Sequence, residues 1–332
     1  LVTGAAGFIG FHLCRGLLAR GDSVVGMDNL NPYYDVNLKQ GRLAVLKEDA
    51  RFSFTQAGLE NVEETQKVFG QGPFDVVANM AAQAGVRYSL EKPMTYVASN
   101  LTGFLNILEN CRHAKVPHLV YASSSSVYGA NVKTPFREAD NVDHPVSLYA
   151  ATKKADELMA HSYSSLFGMP VTGLRIFTVY GPWGRPDMAM FKFTKAIIEN
   201  KPVEIYNHGD MRRDFTYVDD VVDGIIRVMG KAPAPDPAWD AASPTPDTSF
   251  APYRIYNVGN NRPESLMKMV ELLERAIGKK ADRRLLPMQA GDVKETAADI
   301  GRIQRDFGFA PKTALEEGIP RFVEWYRGYY KV

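Results

Sequence analysis

Apolar positions in the first half of the chain come in short runs separated by stretches of helical periodicity. Val24-Val25-Gly26-Met27, Phe74-Asp75-Val76-Val77-Ala78 and His118-Leu119-Val120-Tyr121-Ala122 have the length and composition of buried strands. Between them, helical spacing of apolar residues recurs near 8–20, 61–70, 94–113 and 148–167. Strands that alternate with helices pair in parallel through right-handed crossovers. The pattern therefore predicts an α/β fold built on a doubly wound, Rossmann-type parallel sheet. After about residue 177 the alternation gives way to loops, short strands and helices. This divides the chain into a Rossmann domain over 1–177 and a smaller C-terminal lobe over 178–332 that is mainly substrate-binding. A return of about 215–262 to the first domain is expected, with Tyr253-Arg254-Ile255-Tyr256-Asn257-Val258 as a late strand of the sheet. Residues 231–252, rich in Pro, Ala, Asp and Ser, read as a surface excursion.

The first predicted strand, Leu1-Val2-Thr3, runs into Thr3-Gly4-Ala5-Ala6-Gly7-Phe8-Ile9-Gly10 and then into a helix. Gly4 suits a tight turn, Gly7 lets a pyrophosphate approach the backbone, and Gly10 lets the helix pack on the strand. The helix N-terminus offers N–H groups to phosphate. The second strand ends in Asp28, where a carboxylate takes both ribose hydroxyls of NAD and repels a 2′-phosphate. Asn29 and Leu30 follow, with no arginine to favour NADP.

Tyr149 and Lys153 are four residues apart, so they share a face on a helix. An ammonium beside a phenol favours the phenolate, the form that removes an alcohol proton near pH 7. Tyr88 and Lys92 repeat the spacing, but Pro93 follows them and they read as a surface pair. Only Tyr149 comes after a serine run at a strand end, Ser123-Ser124-Ser125-Ser126, whose hydroxyls can bond the same substrate oxygen. The two motifs together imply hydride transfer between a nicotinamide and a carbon bearing a hydroxyl.

Composition narrows this little. Hydrophobic residues make up 45%, charged residues 23%, and the net charge is +1, which argues against a nucleic-acid or membrane footprint. No apolar run approaches the roughly 20 residues that span a bilayer. No basic, apolar leader opens the chain, and a few upstream residues of its first strand are expected. Cys14 and Cys111 sit on apolar helical patterns and read as buried thiols in a reducing compartment, the cytoplasm.

The chain resembles the extended short-chain dehydrogenases/reductases over nearly its whole length. The opening glycine motif, Ser123-Ser124-Ser125-Ser126-Val127-Tyr128-Gly129, the Tyr149/Lys153 pair and Arg212-Arg213-Asp214-Phe215-Thr216-Tyr217-Val218-Asp219-Asp220 carry that resemblance. Within the family it is most similar to UDP-glucuronate 4-epimerases. Ala81-Ala82-Gln83-Ala84-Gly85-Val86-Arg87-Tyr88-Ser89, the run from Thr178 to Met188, and Ala251 to Asn260 are the specific signals. The resemblance implies a catalytic set of Ser124, Tyr149 and Lys153. It implies cofactor contacts from Gly4, Gly7, Phe8, Ile9, Gly10, Asp28, Tyr149 and Lys153. Ser125, Ser126, Thr178 and Arg185 are implied around a uronate carboxylate, Arg213 at the diphosphate and Asp292 at the uridine ribose, with Arg87 a further substrate contact. A homodimer pairing the helices near 94–113 and 148–167 is implied as well.

Three positions depart from the family pattern. Gly58 stands where relatives often carry an Asp that touches adenine. Asn79-Met80 replaces a frequent His-Leu, a change expected to affect only strand packing. Gln289 stands where relatives often place a second phosphate-binding Arg, which leaves Arg213 more of the diphosphate charge.

Related 4,6-dehydratases carry an Asp-Glu pair where this chain has Ser125-Ser126, and related decarboxylases carry a Glu in the same loop. Serine hydroxyls, with a pKa far above neutrality, cannot protonate a leaving C6 hydroxyl. They can instead hydrogen-bond a carboxylate, and Arg185 can clamp it bidentately unless Asp187 takes that arginine. The expected reaction is NAD-dependent epimerisation at C4 of a UDP-hexuronic acid, UDP-glucuronate to UDP-galacturonate. The alternatives are a 4-epimerase of UDP-glucose or UDP-N-acetylglucosamine, a UDP-glucuronate decarboxylase, and a non-catalytic NAD sensor.

Overall fold

The computed structural model describes residues 1–289 and 293–332. Twelve strands occur among them: β1 (Val2–Thr3), β2 (Val24–Asp28), β3 (Phe52–Gln56), β4 (Val77–Asn79), β5 (Leu119–Ser124), β6 (Val171–Ile176), β7 (Thr178–Tyr180), β8 (Pro202–Ile205), β9 (Arg212–Tyr217), β10 (Tyr253–Val258), β11 (Pro263–Ser265) and β12 (Asp282–Leu285). Seven form one parallel sheet in the order β10-β6-β5-β4-β1-β2-β3. The predicted late strand is β10, which pairs along its full length with β6. The expected doubly wound α/β sheet is present. Strand order reverses at β1, where chain crossovers diverge to opposite faces and leave a crevice at the carboxyl edge.

Apolar side chains from both sheet faces build the core. Phe11, Leu13 and Leu17 of the helix Phe8–Arg20 pack with Val221, Val222 and Ile225 of the helix Val218–Met229 on one face. Phe104, Ile107 and Leu108 pack with Leu119 and Tyr121 on the other. Cys14 and Cys111 are free and fully buried, and burial pushes the Cys14 thiol up to about 12.

A second apolar cluster joins Phe191, Phe193, Phe215, Leu266, Leu273, Ile319 and Phe322. It lies among the three-stranded sheet β11-β9-β7, the two-stranded sheet β12-β8, and the helices Ala189–Ile198, Leu266–Ile277 and Leu315–Tyr330.

Two local features differ from the sequence expectation. The helix expected over 94–113 is interrupted by a π-helical turn, Val97–Thr102, between Pro93–Tyr96 and Gly103–His113. Inside that turn Asn100 points into the protein, donating to the Gln83 carbonyl and Thr152 Oγ1 and accepting from Gln83 N–H. A wider turn re-aims one side chain at the cost of regular bonding. The helix Val36–Leu46 had no clear apolar stripe, because its buried face carries Lys39 and Arg42 beside Leu38 and Leu43. Its signal was the N-cap Asp35, whose carboxylate accepts from Asn37 N–H at 2.9 Å.

Candidate functional site

A cleft of about 1000 Å³ runs along the carboxyl edge of the sheet and under the second apolar cluster. One end is built by the glycine turn. Gly4 has φ +69°, a conformation that excludes most side chains, and a Cβ at Gly10 would overlap the Gly4 carbonyl oxygen. Gly7 is the N-cap of the helix Phe8–Arg20 and offers no side chain to the first N–H groups, which leaves them for an anion. Gly4, Gly7, Phe8, Ile9, Gly10 and Asp28 all line this end.

Asp28 is held in place by Ala6 N–H at 3.2 Å and Leu30 N–H at 2.8 Å. Lys39 lies beside it, with Nζ 3.9 Å from Asp28 Oδ1 and 2.8 Å from Asn31 Oδ1. Burial pulls the Lys39 ammonium down from its ordinary range, against the upward pull of Asp28. No local motif announced Lys39; it reaches the site only because the helix Val36–Leu46 packs there. This cradle fits the phosphates and adenosine ribose of a dinucleotide.

The middle of the cleft is the serine run and the helix Leu148–Phe167. Ser124 ends β5 and caps a short 3₁₀ turn, accepting from Ser126 N–H at 3.2 Å and from Ser126 Oγ at 2.9 Å. Ser123 turns the other way, into the core, and donates to Glu157. Glu157 also takes a two-pronged bond from Arg175 of β6, at 2.9 Å on each oxygen. This buried knot fixes the strand end that carries Ser124, Ser125 and Ser126 into the cleft.

Ser147 caps the helix Leu148–Phe167 by accepting from Ala150 N–H. Tyr149 and Lys153 then fall on its cleft side, and both line the cavity. The Tyr149 ring meets Tyr96 edge-on at 6.1 Å, and Lys153 donates to Asp156 at 3.0 Å. Tyr88 departs from the surface reading given to it above. It lines the same cleft, with its ring 4.7 Å from Tyr33.

Thr178, at the start of β7, and Arg185 complete this part of the wall. Arg185 forks Asp187, with Nε 3.0 Å from Oδ1 and Nη2 2.5 Å from Oδ2, and Tyr33 donates to the same carboxylate. Burial alone would raise the Asp187 carboxyl, but the guanidinium outweighs it and holds the group below the usual range. Arg185 therefore reaches the cleft already paired, the possibility that its spacing to Asp187 had left open.

The loop that delivers Arg185 is tied down by residues with no obvious signature. Arg42 is fully buried and donates to the carbonyls of Ala6, Trp183 and Gly184 and to the Tyr34 hydroxyl. His12 donates from Nε2 to the Pro182 carbonyl at 2.9 Å, and burial pulls its imidazolium form down to about 4. Three successive carbonyls, 182 to 184, are thus bonded from two helices of the parallel sheet. Trp183 takes φ +61° and packs on Phe11, Trp325 and Tyr329. Arg42→Met is expected to strand the carbonyls of Ala6, Trp183 and Gly184 and lower unfolding stability by about 2–4 kcal/mol. Urea unfolding measures it, and wild-type stability would show that the clasp adds nothing.

The far end of the cleft is basic. Arg213 lines it and donates to the carbonyls of Arg212 and Lys294. Arg87 rests on the Tyr206 ring at 4.8 Å, and Gln289 stands beside the same tyrosine. Arg87 and Gln289 thus meet the same tyrosine, which brings a cation near position 289. Asp292 lies outside the described residues.

The family model of the NAD dependent epimerase/dehydratase family matches residues 1–259. The chain belongs to that family. It is 48% identical over 337 residues to a probable UDP-glucuronate 4-epimerase of Rhizobium meliloti, covering 100% of this chain and 97% of the relative. It is 54% identical to the protein called CapI of Staphylococcus aureus, covering 100% and 99%. The solved structure of UDP-glucuronic acid 4-epimerase from Bacillus cereus, in complex with UDP-glucuronic acid and NAD, superposes with a TM-score of 0.88 at 32% identity and 99% coverage of both chains.

Two departures from the family pattern take on meaning in this epimerase/dehydratase fold. A Cβ at Gly58 would fall 2.8 Å from Glu60 Oε1, and Glu60 lines the cleft. A carboxylate thus occupies the space that a side chain at 58 would fill. Asn79 does more than adjust strand packing: its Oδ1 accepts from Thr3 Oγ1 at 2.6 Å, and Thr3 accepts from Ala81 N–H. That chain joins the ends of β1 and β4 at the reversal point of the sheet. Among the described residues no His, Cys, Asp and Glu cluster could hold a metal, and no helix is long and apolar enough to cross a membrane.

Proposed function

We propose that this protein is an isomerase, an NAD-dependent UDP-glucuronate 4-epimerase that makes UDP-galacturonate. The observation that carries the reading is one cleft wall where Tyr149, Lys153, Ser124, Ser125, Ser126, Thr178 and Arg185 converge between a dinucleotide cradle and a basic end. The relatives from Rhizobium meliloti and Bacillus cereus point to the same substrate.

Gly4, Gly7, Phe8, Ile9, Gly10 and Asp28 would hold NAD, with Tyr149 and Lys153 near its nicotinamide ribose. When bound, NAD supplies the acceptor and donor of the C4 hydride. Tyr149 takes the proton from the sugar O4 as general base, and Ser124 bonds the same oxygen. Lys153 favours the phenolate form of Tyr149. Arg213 and Arg87 hold the diphosphate while the 4-keto sugar turns over, so that the hydride would return to the opposite face of C4 and Tyr149 would give its proton back to O4. Ser125, Ser126, Thr178 and Arg185 hold the uronate carboxylate. A 4-keto uronate is a β-keto acid and loses carbon dioxide when its carboxylate bond stands perpendicular to the ketone plane. Holding the carboxylate near that plane suppresses the loss.

Chromatography of UDP-glucuronate incubated with the protein tests the reading: UDP-galacturonate is expected, without UDP-pentose and without added cofactor. A UDP-pentose product would make it a decarboxylase. The Arg185–Asp187 fork favours one second reading, a neutral UDP-hexose 4-epimerase, because the clamp for a carboxylate is occupied from within. Comparable kcat/KM for UDP-glucose and UDP-glucuronate would support it.

The two-domain division, 1–177 with a return of about 215–262 and 178–332, belongs to the same proposal, with the reaction at the junction. The protein acts as a homodimer. Met94 and Leu105 within 94–113 and Leu158 and Leu166 on the helix Leu148–Phe167 are exposed apolar side chains suited to contact with a second copy. Leu105→Glu with Leu158→Glu is expected to give a monomer by light scattering; an unchanged mass would place any dimer elsewhere. Free, buried thiols suit a reducing cytoplasm.

A further inference from the structure

We propose that Asp156 is a positioning residue for the Tyr149–Lys153 pair: its carboxylate anchors the Lys153 ammonium in the core and offsets part of that charge at the Tyr149 hydroxyl. The inference rests on the reading of Tyr149 as the base. Positions 149, 153 and 156 follow one stripe of the helix Leu148–Phe167, at spacings of four and three. Lys153 Nζ lies 3.0 Å from Asp156 Oδ2, and the two side chains are only 3% and 1% exposed. Lys153 lines the cleft, whereas Asp156 does not.

The neighbouring acid makes the contrast. Glu157, equally buried, has both oxygens engaged by Arg175 and one also by Ser123. Asp156 Oδ1 is buried without a hydrogen-bond partner in the described structure, so its compensation comes from Lys153. A buried charge is tolerated only when paired. The pair therefore shares one ammonium between a task in the cleft and a carboxylate in the core.

The groups that face Asp156 are Lys153 and Glu157 on its own helix and Tyr121 of β5, with Tyr253 of β10 beyond Tyr121 and Arg175 of β6 bound to Glu157. Burial pushes the Asp156 carboxyl up to about 6, further than Lys153 pulls it down, and Glu157 adds to the rise. Above that pH Asp156 is ionised and opposes a second negative charge on Tyr149. Below it the carboxyl is neutral and the ammonium acts on Tyr149 undiminished.

The test is the pH profile of kcat/KM for UDP-glucuronate in the NAD-loaded protein, with bound NAD measured in parallel. Asp156→Asn keeps an acceptor for Lys153 and removes the charge. Its acid limb is expected to move to lower pH by about one unit, the scale of one charge coupling through a protein interior. Bound NAD should be unchanged, and Asp156→Glu should return the limb toward the wild-type position. An unmoved limb with uniformly lower activity would overturn the proposal and leave Asp156 a packing residue.

Should Asp156→Asn fail to fold, the ultraviolet phenolate titration of the wild type minus that of Tyr149→Phe decides. Two coupled steps are expected, and a single independent step overturns the proposal. If Tyr149→Phe itself retains turnover, the reading of the base fails; if it is inactive and the limb stays put, only the role of Asp156 fails.

Discussion

Tyr149→Phe is expected to fold, to keep its NAD and to lose at least 10²–10⁴-fold in turnover of UDP-glucuronate, the scale of a lost general base. The substitution removes one oxygen from a half-buried ring. That ring keeps its edge contact with Tyr96, and the helix keeps its Ser147 cap, so stability should change little. The measurements are kcat, nucleotide released on denaturation, and thermal midpoint, taken together. Turnover near wild type would remove Tyr149 from the chemistry. Tyr88→Phe is the informative control, because Tyr88 lines the same cleft and also stands four residues before a lysine. Loss of turnover in that variant alone would show that the reaction runs on the other tyrosine. Loss in both would show that the cluster of Tyr33, Tyr88 and Tyr96, whose rings meet at tilted angles, positions the sugar.

Arg185→Ala is expected to lower kcat/KM for UDP-glucuronate by roughly 10- to 150-fold more than for UDP-glucose, the worth of one charged hydrogen bond. The structure sharpens this expectation. Removing Arg185 also leaves Asp187 in the cleft wall with Tyr33 as its remaining side-chain donor. Its uncompensated charge then repels an acidic sugar and is indifferent to a neutral one. Asp187→Asn should act in the opposite sense, weakening the internal rival for the guanidinium and favouring UDP-glucuronate. Equal losses for the two sugars in Arg185→Ala would make Arg185 a residue of the loop, not of the substrate.

Legibility in the sequence followed from how local each feature is. The glycine turn, Asp28 at the end of β2 and the Tyr149/Lys153 spacing are each written within one strand, one turn or one helix. Backbone geometry then dictates where they point, and all of them line one cleft. The sheet was legible for the same reason, since alternation of short strands and helices leaves few topologies.

Features that depend on two distant segments meeting were not legible. Lys39 reaches Asp28, and Arg42 reaches Trp183, only because the helix Val36–Leu46 packs beside the glycine turn with its cations inward. Its buried polar face erased the periodicity that would have announced it. Gln289 and Gly58 stood out along the chain only as departures from the family pattern; that Arg87 shares Tyr206 with Gln289, and that Glu60 fills the space beside Gly58, depends on packing.

Other choices were visible as options but not as outcomes. Arg185 is two residues from Asp187 and Lys153 three from Asp156, so the sequence by itself determined that each pair can meet. Burial decided that they do. Where water is scarce, a cation takes a nearby carboxylate or, as Arg42 does, a set of carbonyls, and tertiary packing alone sets how much water remains.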